Sequence, residues 1–238
     1  MRLPIFLPAL LLATASAASP GQTCRASSGA TVPVVVELYT SEGCSSCPPA
    51  DHWLSELGPH GGVLGAAFHV DYWDRLGWRD RFASPAYTER QAESQRWSGA
   101  RFSYTPQVIV DGQDWPQWRS SRLPGPPRPS LVDLSLSRNG DGVRVEAAAR
   151  AGAPPRLALW WAMLEDGLES SVRAGENAGA TLHHDAVVRR YGTQPDWDSA
   201  RPLRAQLPAP LPGQRLLAVV VDASRHQTMQ ALELSCAP

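Results

Sequence analysis

Cys44 and Cys47 are the residues of this chain whose type and spacing indicate reactive chemistry. Ser45 and Ser46 separate them, and Pro48 follows directly. A strand-like apolar segment precedes the pair and a helical pattern comes after it. The start of a helix offers unpaired backbone N–H groups and the positive end of the helix dipole, and both stabilise a thiolate. Because the thiolate is the reactive form of cysteine, the pair predicts a thiol–disulfide exchange site.

The elements that must position the cysteines alternate between strand-like and helix-like patterns. In chain order they are a strand at 34–39, a helix at 50–57, a strand at 63–70, a helix from Ser84 to about Ser98, and a strand at 107–110. Ser84 is a suitable N-cap, and Pro85 suits the first helical position. The alternation predicts an α/β fold with a parallel pair of strands.

The second half of the chain has a different pattern. Residues 116–130 are rich in proline and predict a connector without regular structure. From residue 131 onward, apolar segments alternate with Pro- and Gly-rich turns. This pattern predicts a small antiparallel sheet or sandwich.

The N-terminal segment has the pattern of a secretory signal peptide. Arg2 precedes an apolar run at 3–13, and small residues at 15–17 offer a cleavage site after Ala17. The run is too short to span a bilayer, and no later segment is apolar enough to do so. The sequence therefore predicts an exported protein, periplasmic or secreted, without a membrane span.

The chain contains four cysteines, and an even number in an exported protein favours disulfides. The economical pairing joins Cys24 to Cys236, near the two ends of the mature chain, and leaves Cys44 and Cys47 as the redox couple. The alternative is that Cys24 and Cys236 are free or pair with another protein.

Composition narrows the classes of function. The formal net charge is -1 at pH 7. A nearly balanced charge does not indicate that the protein binds nucleic acid or an anionic membrane. The chain has no lysine, and this excludes covalent chemistry through a Schiff-base lysine.

Four segments resemble the secreted bacterial family known as domain of unknown function 1223. They are residues 36–51, 68–74 and 104–107, and residues 175–179 together with positions that follow them up to Arg189. The resemblance covers most of the mature chain. It implies an α/β, thioredoxin-like N-terminal domain and a C-terminal antiparallel β-rich, sandwich-like domain.

The resemblance and the chain pattern together predict the organisation of the protein. It comprises a signal peptide at 1–17, a flexible lead-in at 18–31, a thioredoxin-like domain at 32–115, a Pro-rich connector at 116–130 and a β-rich domain at 131–238. A Cys24–Cys236 bridge would tie the last domain to the N-terminus.

The resemblance also implies roles for individual residues. Cys44 would be the attacking thiol and Cys47 the resolving thiol. Pro106, about 60 residues beyond Cys47, would be the cis-proline that follows Thr105 beside the disulfide, whereas an ordinary trans-proline opening a strand is the alternative. The expected partners are a protein thiol or disulfide substrate and a separate redox partner, and the reaction needs no cofactor.

Four further residues are candidates for supporting roles. Glu37 is a candidate proton shuttle or a structural carboxylate. Asp71 and Tyr72 end the second strand, where they would line a substrate groove or form a structural corner. His184 would lower a thiol pKa or transfer protons, or would belong to a surface turn.

The cysteine pair has three alternative interpretations. A structural disulfide would leave the chain as a non-catalytic binding module. A zinc site would need about two more ligands, and the spacing of the histidines does not offer them. Two thiolates with a histidine would suit Cu(I) binding or delivery. We favour thiol–disulfide exchange, without a bound metal, over these three alternatives.

Overall fold

The computed structural model describes residues 24–58, 62–120, 122–123 and 128–236. The predicted signal peptide lies outside these residues. Within them the chain forms two α-helices, α1 (Pro48–Leu57) and α2 (Pro85–Ser98), and a 3-10 helix at Asp74–Leu76. None of the helices in the described residues is long and apolar enough to cross a membrane.

Sixteen strands complete the described part of the chain. They are β1 (Arg25–Ser27), β2 (Thr31–Val32), β3 (Val34–Thr40), β4 (Val63–His69), β5 (Gln107–Val110), β6 (Gln113–Asp114), β7 (Arg128–Pro129), β8 (Val132–Asn139), β9 (Gly142–Ala149), β10 (Arg156–Glu165), β11 (Leu168–Ser171), β12 (Thr181–His184), β13 (Val187–Asp198), β14 (Leu203–Pro208), β15 (Gln214–Asp222) and β16 (Thr228–Leu234).

Helix α1 begins at Pro48, two residues before the predicted start at residue 50, whereas α2 begins at Pro85 as predicted. Cys47 is the N-cap of α1, and prolines occupy its first positions. At the start of α2, the Ser84 side chain accepts a hydrogen bond from the backbone N–H of Ala86. Gly99 ends α2 with a φ of 86°, a left-handed conformation that glycine adopts without steric cost.

One eight-stranded sheet contains the strands that lead to the cysteines. Its order is β16-β15-β10-β13-β4-β3-β5-β6. Strand β3 pairs in parallel with β4 and antiparallel with β5. The other edge of β4 pairs in parallel with β13, through Val187 and Ala67. The sheet therefore crosses the predicted boundary between the two halves of the chain without interruption.

This architecture corrects the predicted fold class. Of the described residues, 46% lie in strands and 13% in helices, across several sheets, so the protein is mainly β. The prediction of an α/β, thioredoxin-like N-terminal domain is wrong. The alternation of strands and helices before residue 115 favours such a domain, but β4 pairs with β13 of the second half, so the described strands of both halves form one sheet.

A shared core joins the two halves. The ring of Phe68 on β4 packs edge-on against Trp160 of β10 and Tyr191 of β13, with ring centroids 6.3 and 5.8 Å apart. Arg90 of α2 lies over these three rings and donates a 2.6 Å hydrogen bond to the Glu37 carboxylate of β3. Residues from both halves therefore bury one another's apolar surface.

A second, four-stranded sheet in the order β1-β8-β9-β14 packs through a buried apolar cluster against β10, β15 and β16. This part agrees with an antiparallel, sandwich-like arrangement. The expected flexible lead-in contributes β1 to this sheet, and it also contributes β2, which pairs with β7 of the expected connector.

A disulfide joins Cys24 to Cys236 across 212 residues, the pairing that the sequence favours. Both cysteines pack against the apolar cluster of the sandwich. In the chain-entropy model, a closed loop of this length stabilises the fold by about 5 kcal/mol.

Candidate functional site

The second disulfide, between Cys44 and Cys47, closes the turn that leads from β3 into α1. We call residues 41–47 the cysteine turn. The backbone N–H of Cys47 donates to the carbonyl oxygen of Cys44 at 3.2 Å. Cys44 is 1% exposed and Cys47 is fully buried, whereas Ser45 and Ser46 are exposed. The disulfide therefore lies directly under an exposed pair of serines.

The β11–β12 hairpin of the second half covers the cysteine turn, and we call residues 168–184 the clasp hairpin. The Asn177 side-chain amide donates to the backbone carbonyls of Glu42 and Cys44, at 2.9 and 3.0 Å. The Glu176 carboxylate accepts a 3.0 Å hydrogen bond from the backbone N–H of Ser45. Three hydrogen bonds from adjacent residues thus hold the turn in place.

Trp73 links the cysteine turn to the segment before β5. A Cβ atom on Gly43 would lie 3.0 Å from the Cβ of Trp73, so glycine permits this close packing. The Trp73 indole N–H donates to the Thr105 hydroxyl at 2.8 Å. The Thr105–Pro106 peptide bond is cis, the isomer that the resemblance implies.

Five buried titratable side chains lie beside the cysteine turn, and we call them the acid–base cluster: Glu42, Asp51, His69, Asp80 and His184. Glu42 belongs to the turn, Asp51 to the first turn of α1, and His69 and His184 end β4 and β12. Each of the five is at most 6% exposed. Burial of so many charged groups is costly unless they are paired.

Hydrogen bonds orient the outer members of the cluster. Asp80 Oδ2 lies 2.7 Å from His69 Nδ1 and accepts a 2.9 Å hydrogen bond from the backbone N–H of Glu42. The Thr40 hydroxyl donates to Asp51 Oδ2 at 3.0 Å. The Trp78 indole N–H donates to Glu42 Oε2 at 2.7 Å.

The centre of the cluster is less completely paired. His184 Nε2 lies 3.5 Å from Glu42 Oε1, and His184 Nδ1 lies 3.9 Å from Asp51 Oδ1. Neither ring nitrogen of His184 has a hydrogen-bond partner among the described residues, nor do His69 Nε2 and Glu42 Oε1. The imidazole rings of His69 and His184 meet edge-to-face, with centroids 5.0 Å apart.

The electrostatics of the cluster favour charged groups despite their burial. Burial lowers the pKa of His184, but the carboxylates of Asp51 and Glu42 outweigh this effect and raise the pKa to about 9. Burial raises the pKa of Glu42, yet interactions with His184, Ser170 and Trp78 leave it below its usual range. Interactions with His69 and hydrogen bonds from the backbone N–H groups of Glu42 and Phe82 likewise overcome burial and lower the pKa of Asp80. At neutral pH, Glu42 and Asp80 are therefore ionised and His184 is protonated.

A model for a protein family of unknown function, DUF1223, matches residues 35–222. This chain belongs to the DUF1223 family. The matched range contains the cysteine turn, the clasp hairpin and all five members of the acid–base cluster. None of the curated proteins matches this DUF1223 chain.

Two solved structures resemble this DUF1223 protein. One is the crystal structure of a protein from Agrobacterium tumefaciens, which is 28% identical, covers 87% of this chain and 96% of its own, and has a TM-score of 0.68. The other is HBP35 of Porphyromonas gingivalis, which is 13% identical over 87% of this chain and 76% of its own, with a TM-score of 0.60. At that identity the second likeness concerns the fold alone.

Within this DUF1223 protein, the structure brings His184 of the predicted supporting residues to the cysteine turn. Glu37 instead has Arg90 and Tyr39 as its hydrogen-bonded partners. Asp71 accepts a 2.6 Å hydrogen bond from Thr88 of α2. Tyr72 likewise donates to Gln91 of α2 at 3.3 Å. These three residues therefore have hydrogen-bond partners on α2 and β3 rather than in the cysteine turn.

Other residues of the site carried no functional assignment from the sequence. Glu42, Asp51 and His69 lie inside the segments that resemble the family, yet an acidic or histidine residue in a motif does not reveal its spatial partners. Asn177 was recognised only as part of a turn. One signal was available, because Asp51 follows Cys47 by one helical turn and so shares its face of α1.

Proposed function

We propose that this DUF1223 protein exchanges disulfides with protein thiols through Cys44 and Cys47. The observation that carries the proposal is the placement of this disulfide at the N-terminus of α1, where Cys47 is the N-cap. The positive end of the helix dipole stabilises a thiolate formed there, which makes the bond easier to open and the thiol more reactive.

The serine pair adds a hydrogen-bond donor at the same place. Pro48 and Pro49 have no backbone N–H to offer a thiolate. The hydroxyl of Ser46, however, lies 3.5 Å from Cys44 Sγ. In the reduced protein this hydroxyl donates to the Cys44 thiolate, which supports Cys44 as the attacking residue and Cys47 as the resolving one.

The exchange proceeds in two balanced steps. A partner thiolate attacks Cys44 Sγ, the bond between Cys44 and Cys47 breaks, and Cys47 leaves as a thiolate. A second partner thiolate then attacks the partner sulfur of the mixed disulfide and releases the Cys44 thiolate. Two partner thiols are oxidised to a disulfide while the Cys44–Cys47 bond is reduced. The reverse sequence reduces a partner disulfide.

Cys44 is buried, and the clasp hairpin controls how a partner reaches it. An incoming thiolate reaches Cys44 Sγ only when two sets of hydrogen bonds open: the one that Glu176 accepts from the turn and the two that Asn177 donates to it. The clasp hairpin thus limits which partners react and how fast they do so.

We also propose that the protein works outside the cytoplasm. Disulfides persist in oxidising compartments, and the protein contains two. The signal-peptide pattern at 1–17 supports the same location. An oxidising compartment is where a thiol–disulfide exchange protein meets partner disulfides.

A redox titration tests the proposed exchange. The protein is equilibrated in glutathione buffers, its thiols are alkylated, and each disulfide is quantified by mass spectrometry. We expect a reduction potential of Cys44–Cys47 between about -270 and -120 mV, the range of exchange catalysts, while Cys24–Cys236 stays oxidised. A potential below about -300 mV, with no exchange with a test disulfide, would make the bond structural.

Two single variants assign the roles of the cysteines. Cys47→Ser leaves Cys44 free to hold a partner, so this variant accumulates mixed disulfides that a reductant releases. Cys44→Ser is the matched control and should accumulate far fewer. Equal trapping by both variants would contradict the assignment of Cys44 as the attacking thiol.

A further inference from the structure

We propose that Asp51, His69 and His184 bind a divalent transition-metal ion in a buried site beside the cysteine turn. The ligands are two imidazole nitrogens and one carboxylate oxygen. This donor set suits Zn²⁺, which commonly has three protein ligands and one further position. It does not suit Mg²⁺ or Ca²⁺, which prefer oxygen ligands.

The candidate ligand atoms are already close together. One atom from each of the three side chains lies within 4.8 Å of the other two. Zinc–nitrogen and zinc–oxygen bonds of about 2.0–2.2 Å place tetrahedral ligands about 3.3 Å apart. On binding the ion, each distance between these ligand atoms would therefore shorten by at most about 1.5 Å.

Asp80 prepares His69 as a ligand. Its carboxylate oxygen lies 2.7 Å from His69 Nδ1, and both side chains are fully buried. Because the carboxylate accepts the Nδ1–H, the lone pair of the neutral ring is on Nε2. Within the described part of the chain, that nitrogen has no hydrogen-bond partner. A histidine ligand that donates its other N–H to a carboxylate is a recurrent arrangement at metal sites.

His184 and Asp51 have equivalent outer partners. With Nδ1 of His184 directed to the metal, its Nε2–H faces Glu42 Oε1 at 3.5 Å. The Thr40 hydroxyl holds Asp51 Oδ2 at 3.0 Å, which leaves Oδ1 on the side of His184. Each proposed ligand therefore has its own orienting group, and these groups are Asp80, Glu42 and Thr40.

The charge of the cluster also favours a cation. Glu42, Asp51 and Asp80 bring three carboxylates into a region that solvent does not reach. A buried carboxylate is costly without an opposite charge. A divalent ion bound between the three ligands brings positive charge close to these carboxylates.

This inference does not rest on the proposed thiol chemistry, because none of the three ligands is a cysteine.

The EDTA-treated protein, with both disulfides oxidised, is titrated with Zn²⁺ and the bound metal is measured by calorimetry and elemental analysis. Parallel samples are refolded with Zn²⁺ from denaturant, since the site is buried. We expect one Zn²⁺ per chain, a higher melting temperature, and no comparable effect of Mg²⁺.

Substitutions locate the bound ion. His184→Gln and His69→Gln should each weaken Zn²⁺ binding by roughly 100-fold or more. His183→Gln and His52→Gln are matched controls on exposed neighbouring positions, and both should bind as the wild type does. The Cys44→Ser/Cys47→Ser double variant should also retain the ion, which separates this site from metal capture by thiolates.

Replacing Zn²⁺ with Co²⁺ provides a readout other than affinity. Co²⁺ bound by nitrogen and oxygen ligands at low coordination number has visible absorption bands. The His184→Gln variant should lack these bands. Absence of stoichiometric Zn²⁺ binding by the wild type, in both native and refolded samples, overturns the proposal whatever the variants do. Retained binding in folded His184→Gln, checked by circular dichroism, overturns it as well.

Discussion

The side-chain amide of Asn177 donates to the backbone carbonyl of Cys44 at 3.0 Å, across 133 residues of sequence. The same amide reaches the carbonyl of Glu42 at 2.9 Å. Through this one side chain, the second half of the chain restrains the turn that contains the Cys44–Cys47 disulfide. Access to the disulfide is therefore a property of the whole fold.

Asn177→Ala should accelerate reduction of the Cys44–Cys47 disulfide. The substitution removes two hydrogen bonds, each worth about 1 kcal/mol, and so raises the population of the open turn. We expect the rate of reduction by a small phosphine to increase roughly tenfold or more, since 1.4 kcal/mol corresponds to a factor of ten. Alkylation followed by mass spectrometry measures the rate, and Cys24–Cys236 provides an internal reference.

The matched control for this variant is Asn139→Ala, at an exposed position that ends β8. It should leave the rate unchanged. An unchanged rate in Asn177→Ala would show that the clasp hairpin does not limit access to Cys44.

Ser46→Ala should make the Cys44 thiol less acidic in the reduced protein. The Ser46 hydroxyl lies 3.5 Å from Cys44 Sγ, and a hydroxyl that donates to a thiolate favours the ionised form. We expect the pKa of Cys44 to rise by roughly one unit, as the loss of a charged hydrogen bond of about 1.5 kcal/mol implies. Ultraviolet absorbance of the thiolate, followed against pH, gives the pKa.

Ser45→Ala is the control for this measurement, because Ser45 is equally exposed and keeps its backbone N–H to Glu176 in the variant. The pKa of Cys44 should change little in Ser45→Ala. Similar shifts in both serine variants would contradict a specific role for the Ser46 hydroxyl.

Local signals in the sequence identify the cysteine pair and the start of α2. Cys44 and Cys47, and the Ser84 cap with Pro85, act through neighbours in the chain, so their spacing identifies them. The joined sheet could not be predicted in this way. Strand β13 contains Gly192 and Pro195 and exposes many of its side chains, so it lacks the apolar pattern of a buried strand.

The acid–base cluster escaped prediction for a related reason. His69 and His184 end strands from different halves of the chain, and no spacing rule links them. They meet because β4 pairs with β13 and because β12 packs against α1. A reader who does not know the joined sheet sees six histidines in the sequence and has no reason to pair His69 with His184.

Removal of Arg90 should destabilise the protein strongly. Arg90 pairs with Glu37 at 2.6 Å, and the two side chains are 9% and 6% exposed. Arg90→Met leaves the Glu37 carboxylate buried without its partner, which typically costs about 3–5 kcal/mol. Urea denaturation measures the free energy of unfolding.

Replacing both partners should restore most of this loss. The double variant Arg90→Met/Glu37→Leu has no isolated buried charge, so we expect it to be more stable than Arg90→Met alone. Arg150→Met, which breaks the surface pair with Asp133, should lower the free energy of unfolding far less than Arg90→Met does, because solvent screens an exposed ion pair. Additive losses in the double variant would mean that Arg90 acts mainly through its packing on the aromatic rings.

Asp222 should make the stability of the β15–β16 connection dependent on pH. Its Oδ1 accepts hydrogen bonds from the backbone N–H of Ser224 at 2.8 Å and of Arg225 at 3.3 Å. Burial raises the pKa of Asp222, but these bonds and the Ser224 hydroxyl outweigh it and lower the pKa. Since the folded-state pKa lies below the unfolded value of about 4, ionised Asp222 stabilises the fold above that pH. Its contribution disappears as the pH falls through the folded-state value.

Asp222→Asn should therefore lose about 1–2 kcal/mol at pH 7, because an amide oxygen accepts these hydrogen bonds more weakly than a carboxylate does. The difference from the wild type should shrink as the pH falls below about 4, where the carboxyl of the unfolded chain is protonated, and should be smallest below the folded-state pKa, where native Asp222 is neutral as well. Thermal or urea unfolding across this range measures it, with Asp141→Asn at an exposed hairpin position as the control. A loss of equal size at pH 3 and pH 7 would contradict the charge-dependent role, because a contribution from the charge of Asp222 must decrease as its carboxyl is protonated.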